Sequence, residues 1–309
     1  MRKPVDRRQL LQGSAALAAS VAFGAMSAEG SGAPAEAATP STTQRGVAGS
    51  RRMQLGMVTY NIAAGWDIPT IIERCHQVGM AAVELRTTHR HGVEPDTSKT
   101  RREEVRKQFA NAGIVLWGLG SVCEYHSPDP AVVAQNIELT KRFVDLAHDV
   151  GAKGVKVRPN ALPQEVEERK TLEQIGNALR VCGEAAARMG VEIWLEVHGR
   201  GTSHPPHIRT IMDVANHPNV GVTWNCNHPH DLKDGSVKPY FESLRDRIWS
   251  VHINELTNPY PWPELLQLLN KTGYDRYALI EIQAMKSAHD EDAVRFLKYY
   301  RTLWEAWSM

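Results

Sequence analysis

Residues 191–199 read Val191-Glu192-Ile193-Trp194-Leu195-Glu196-Val197-His198-Gly199. A short apolar run breaks off in a carboxylate, an imidazole and a glycine. Runs of this length and composition predict a strand covered on both faces, as in a parallel sheet wrapped by helices. The same figure recurs downstream. Val220–Trp224 leads into Asn225-Cys226-Asn227-His228, Ile248–Ile253 carries His252 near its end, and Ala278–Ile282 carries Glu281.

Working back toward the N-terminus, four more runs have the same character: Leu55–Tyr60, Ala82–Arg86, Val115–Gly120 and Gly154–Arg158. Amphipathic stretches lie between the runs, among them Ala131–Val150, Thr171–Met189 and Ala288–Trp307. Gly79, Gly113, Gly151, Gly190 and Gly273 follow helical stretches, as C-terminal caps do. Eight strand–helix units within residues 51–309 predict an α/β fold, a single (β/α)8 TIM barrel, whose usual length is about 250 residues. A doubly wound open sheet is the competitor. No G-x-G-x-x-G follows the first run, where Met57-Val58-Thr59-Tyr60-Asn61 offers no phosphate cradle.

In such a barrel the chemistry sits where the strands end. The strand ends here are polar almost throughout: Glu84 and Arg86, Glu124 and His126, Lys156 and Arg158, Glu196 and His198, Asn225 and His228, His252, Glu281. That many buried polar groups at one rim are costly without partners, which argues for a site rather than a set of caps. Glu196, Asn225, His252 and Glu281 are separated by 29, 27 and 29 residues. Each interval is close to one strand–helix unit, so adjacent strands would offer one ligand each to a common point. Two carboxylates, an amide oxygen and an imidazole suit one divalent cation: Mn2+ first, with Mg2+, Co2+ or Zn2+ as alternatives.

The segments 194–199, 221–225, 250–255 and 279–282 resemble the xylose isomerase-like TIM barrel superfamily, the sugar phosphate isomerases and epimerases. The resemblance covers residues 54–309. It implies that a metal is held by Glu, Asp, His and Glu from four strand ends, which match Glu196, Asn225, His252 and Glu281. Asn225 is the departure, since the family has Asp there. Asn keeps an amide oxygen but brings no charge, and Asn227 and His228 lie close enough in sequence to assist.

The expected chemistry is proton abstraction next to a carbonyl through a metal-stabilised ene-diolate, with Glu196 and Glu281 as the acid–base pair. His198, His228, Lys156, Arg158 and Glu84 are the expected substrate-binding residues, and Trp66, Trp117 and Trp262 are candidates for the pocket wall. The same equipment serves a keto-glycoside lyase or dehydratase. Phosphoester hydrolysis is a further alternative, with His89, His91 and His126 as extra ligands for a multi-metal cluster. A non-catalytic carbohydrate-binding barrel is the alternative from outside enzymology.

Composition bounds the partners. The chain has 309 residues, 42% hydrophobic and 23% charged, with net charge +1. Neither nucleic acid nor a membrane surface is indicated. The four cysteines, Cys75, Cys123, Cys182 and Cys226, form no C-x-x-C pair and are expected as free thiols. Arg7-Arg8 precedes an apolar run from Ser14 to Met26 and an Ala/Gly/Pro/Ser/Thr-rich stretch to Ser50. Residues 1–50 therefore read as a twin-arginine-type signal peptide plus disordered linker, and the protein as periplasmic. Without a functional signal it would be cytoplasmic. Export favours an unphosphorylated sugar or glycoside as partner, no membrane association after cleavage, and leaves a homo-oligomer open.

Overall fold

The computed structural model describes residues 53–285 and 290–308. The expected leader at 1–50 and the expected helix start at Ala288 lie outside the described residues. Eight parallel strands close into one barrel in sequence order. They are β1 (Gln54–Val58), β2 (Ala82–Arg86), β3 (Val115–Glu124), β4 (Gly154–Arg158), β5 (Glu192–Glu196), β6 (Val220–Trp224), β7 (Ile248–Ile253) and β8 (Tyr277–Ile280). Closure is made by β1 against β8, with Leu55 opposite Ala278 and Met57 opposite Ile280. The helices are α1 (Ile68–Val78), α2 (Lys99–Ala112), α3 (Pro130–Val150), α4 (Glu168–Met189), α5 (Pro205–Ala215), α6 (Lys238–Leu244), α7 (Trp262–Lys271) and α8 (Asp290–Trp307). No described helix is long and apolar enough to cross a membrane.

Local chemistry sets the helix ends. The Asp67 and Asp129 carboxylates accept backbone N–H groups of Thr70 and Ala131, and a proline follows each within the first turn. Gly79, Gly113, Gly151 and Gly190 close α1 to α4 in the left-handed conformation. Gly273 also has positive φ but follows the capping residue Thr272. The third strand runs four residues past its expected end at Gly120. The last stops at Ile280, leaving Glu281 just beyond it, although the Glu281 N–H still reaches Ile253 O at 2.9 Å.

Beneath the rim the barrel is filled by large rings. Trp117 stacks on Trp194 with centroids 5.0 Å apart and meets Tyr277 edge-on at 4.9 Å. Gly154 and Gly118 make room: a Cβ on either would come within 2.3 or 2.6 Å of the Trp194 ring. The Glu192 carboxylate accepts the Trp194 indole N–H at 2.8 Å and both arms of the Arg276 guanidinium at 2.7 and 3.1 Å. Trp117 thus belongs to this floor and not to a substrate pocket; Trp66 and Trp262 are likewise core residues. Side chains two residues apart on a strand share a face. So Ala82, Gly154, Trp194 and Ser250 in the floor place Glu84, Lys156, Glu196 and His252 one step nearer the rim. The floor sets the position of the charged layer.

Candidate active site

Five polar side chains meet above the tryptophan floor: Glu84, Lys156, Glu196, Asn225 and His252 are 0–6% exposed. Glu281 joins them from the end of β8, with 15% of its side chain exposed. Buried charges at this density are tolerated only when paired, and the pairing is explicit. Lys156 Nζ donates to Glu196 Oε2 at 2.6 Å, and Asn225 Nδ2 donates to Glu196 Oε1 at 2.9 Å. His252 Nε2 lies 3.2 Å from Glu84 Oε2. On its other side, His252 Nδ1 lies 3.6 Å from Glu196 Oε1 and 3.5 Å from Glu281 Oε2. Neither contact has hydrogen-bond geometry, and Nδ1 is a buried ring nitrogen without a partner.

That unpartnered nitrogen tests the site for a metal. Glu196, His252 and Glu281 each offer one ligand atom, and these atoms lie within 4.8 Å of one another. Glu84 takes the far side of the ring, which fixes the tautomer that leaves a lone pair on Nδ1, as carboxylate–histidine–metal arrangements require. Glu84, Glu196 and Glu281 carry three negative charges against one on Lys156, so one divalent cation would neutralise the layer. These residues fit a divalent cation. Among the described residues no other group of His, Cys, Asp and Glu converges in this way. His89 is held by Thr59 Oγ1 at 3.0 Å, His91 lies 2.8 Å from Arg86 O, and His126 lies 3.7 Å from Glu124. A multi-metal phosphoesterase cluster built on them does not form.

The charges shift one another. Burial opposes ionisation of Glu196, but the Lys156 ammonium outweighs it and, with His252 and His198, holds the carboxyl well below its usual range. Burial likewise disfavours the Lys156 ammonium, yet Glu196, Glu84 and Glu281 keep it charged. Burial also disfavours protonation of His252, and the Glu84 and Glu281 carboxylates more than reverse this.

The expected site residues differ in what they touch. Glu84 was expected to bind substrate. It is wholly buried with Oε2 3.2 Å from His252 Nε2, and Gly120 makes room for it: a Cβ there would be 2.7 Å from Glu84 Oε1. Arg158 is tied to the Glu124 carboxylate across β3 and β4. His198 follows β5, half-buried, with its Nδ1 buried and without a hydrogen-bond partner. His228 is exposed on the loop after β6. Asn225 turns its NH2 group, not its amide oxygen, toward Glu196, and that oxygen accepts the Cys226 N–H at 2.9 Å. The cysteines are free, as expected.

Sequence reasoning missed what holds the loop after β6. Asp231, wholly buried, accepts the Asn227 N–H at 3.0 Å and the Tyr260 hydroxyl at 2.7 Å, while Trp224 Nε1 donates to the Tyr260 oxygen at 3.2 Å. Asn227 Nδ2 in turn donates to Val197 O and Asn225 O. Only the density of Asn, His and Asp in 225–231 hinted at it.

Comparisons with known proteins agree with this architecture. The profile of the family described as "Xylose isomerase-like TIM barrel" matches residues 72–300. A ketose 3-epimerase of Arthrobacter globiformis is 23% identical over 246 residues, covering 75% of this chain and 83% of that protein. The crystal structure of a 3-keto-D-glucoside 4-epimerase from E. coli superposes with TM-score 0.67 at 16% identity, over 81% of this chain and 99% of that one. A D-psicose 3-epimerase from Clostridium cellulolyticum H10, solved with D-tagatose, superposes with TM-score 0.68 at 15% identity, over 83% and 98%. At these identities the solved structures share the fold.

Proposed function

We propose that this chain, which belongs to the xylose isomerase-like TIM barrel family, is a sugar epimerase or isomerase. It works with one divalent cation, Mn2+ foremost, on an unphosphorylated sugar. One observation carries the reading: two carboxylates, Glu196 and Glu281, flank the unpartnered Nδ1 of a buried histidine at 3.6 and 3.5 Å. Metal-assisted proton abstraction beside a carbonyl uses this arrangement of a cation position with carboxylates next to it. The ketose 3-epimerase relative supports the substrate class.

The cation, held by Glu196, His252 and Glu281, would supply Lewis-acid polarisation of the substrate carbonyl. The chain's own residues do the rest. Glu196 and Glu281 approach from two strands and handle the proton at the carbon beside the carbonyl. Glu84 keeps the His252 ring oriented. Lys156 counters negative charge in a layer where low dielectric strengthens every interaction. The tryptophan floor closes the barrel below and denies water that route.

Export supports the choice of an unphosphorylated sugar. Arg7-Arg8 followed by the apolar run 14–26 has the form of a twin-arginine signal, and sugar phosphates are cytosolic metabolites. We take the periplasm as the working location.

The test is direct. The purified, Mn2+-loaded protein is incubated with D-psicose, D-fructose, D-tagatose and a 3-keto-glucoside, and products are resolved by chromatography. Interconversion of a sugar with its epimer or isomer, lost on chelation, is the expected result. Release of an aglycone would instead identify a keto-glycoside lyase. Binding without turnover would leave a carbohydrate-binding barrel.

A further inference from the structure

Glu196 is the most restrained carboxylate of the centre. Its Oε2 takes the Lys156 ammonium and its Oε1 takes the Asn225 NH2 group. The orientation of Asn225 is fixed by its other end, where the amide oxygen accepts the Cys226 N–H at 2.9 Å. Turning the amide over would set its NH2 against that N–H and its oxygen against the Glu196 carboxylate, exchanging two attractions for two repulsions. The backbone at 225 is pinned as well, through Asn227 Nδ2 donating to Asn225 O at 2.9 Å. Asn225 therefore shows the centre a donor. A cation needs an acceptor.

Lys156 is 7% exposed in its side chain, and an ammonium this deep is held in place only by its partners. Glu196 is the partner it touches, at 2.6 Å. By contrast, the Glu281 carboxylate has no hydrogen bond among the described residues and is the most exposed of the three.

We propose that Lys156 and Asn225 form a clamp on Glu196, so that a divalent cation is held by Glu196, His252 and Glu281 alone, with Lys156 as a resident positive charge working against it. Lys156 and Asn225 are positioning residues on this reading. They fix Glu196 in place, and Glu281, without such bonds, is the less restrained member of the acid–base pair. The neutral Asn225 follows from the clamp. An Asp there would repel Glu196 unless the cation were present, whereas Asn satisfies it at all times.

The proposal rests on the cation-dependent function above only for the role of Glu281; the clamp itself is tested without substrate. Mn2+ is titrated calorimetrically into the substrate-free full chain, with the free-ion electron paramagnetic resonance signal as a second readout. Removing the resident charge in Lys156→Met should tighten Mn2+ binding about tenfold or more, since a like charge bonded to one of the cation's own ligands is lost. Lys156→Arg should stay near wild type. Asn225→Ala should bind Mn2+ within about threefold of wild type, where loss of a true ligand costs far more. Weaker binding in a folded Lys156→Met protein, a large loss in Asn225→Ala, or no Mn2+ binding by any variant would each overturn the clamp. Should Lys156→Met fail to fold, Asn225→Ala and Lys156→Arg still decide. A wild-type protein that shows this pattern but turns over no sugar upholds the clamp and refutes the proposed function.

Discussion

Glu84 and His252, 168 residues apart in sequence and both wholly buried, face each other at 3.2 Å across the inside of the barrel. Glu84 reaches the centre from β2, and it touches the imidazole rather than the open rim. A carboxylate on one ring nitrogen raises the basicity of the other and fixes which one is free. Glu84→Gln keeps the shape and removes the charge. It should weaken Mn2+ affinity about tenfold, at the lower end of outer-shell effects, with little change in the circular dichroism spectrum. Titration calorimetry on the two proteins decides, and equal affinities would remove Glu84 from the centre.

Glu281 lies just past the end of β8 and is joined to β7 through its own N–H to Ile253 O. Its position is therefore set by backbone, and its carboxylate is left to react. Glu281→Gln should lower kcat by about 10²–10⁴-fold, the usual worth of a positioned acid or base. The thermal midpoint should hardly move, because the side chain is not part of the packed core. A variant with near-normal turnover would show that the proton goes elsewhere.

Strand ends were legible in the sequence because a parallel barrel needs short, doubly covered apolar runs, and the runs end where the polarity changes. Glu196, Asn225, His252 and Glu281 were found by that rule and by spacing near one strand–helix unit. Spacing says nothing of which atom a side chain presents, however. Asn225 meets the centre with nitrogen because Cys226 N–H claims its oxygen. Arg158 was expected to bind substrate and is taken by Glu124, a neighbour that only the β3–β4 pairing reveals. Trp117 was a candidate wall residue and lies in the floor, because it stands near the start of its strand. The Asp231–Tyr260–Trp224 network joins three elements and has no local signature.

The floor yields a stability prediction. Gly154 lies against Trp194, and a Cβ at 154 would come within 2.3 Å of the indole. Trp194 is held by Trp117 on one side and by its own N–H to Glu192 on the other, so it has little freedom to withdraw. Gly154→Ala should destabilise by about 1–3 kcal/mol, the usual cost of overpacking. At about 2–4 °C per kcal/mol for a domain of roughly this size, the melting temperature should drop measurably. An unchanged melt would mean that the ring yields more easily than its contacts indicate.

His89 supplies a pH dependence that is separate from the metal centre. The Thr59 hydroxyl oxygen accepts the Arg86 N–H at 2.9 Å and lies 3.0 Å from His89 Nδ1. Burial, followed by the Arg86 charge and then His91, holds the ring down to about 4 from an ordinary value of 6.5. The sign follows. The unfolded chain takes up this proton as pH falls through 6.5, whereas the folded chain does not until near 4. Stability from this group is therefore complete above 6.5 and is lost progressively below it. His91 and His204, both shifted downward by burial first, add in the same direction. His252, raised by its carboxylates, works the other way over this range; three lowered rings against one raised should still make the urea midpoint fall between pH 7 and pH 5. In His89→Gln, whose side-chain oxygen can still accept the Thr59 hydroxyl but which takes up no proton, the fall should be smaller. Midpoints measured for both proteins at the two pH values test this, and an equal fall in the two would mean that His89 takes up its proton as readily folded as unfolded.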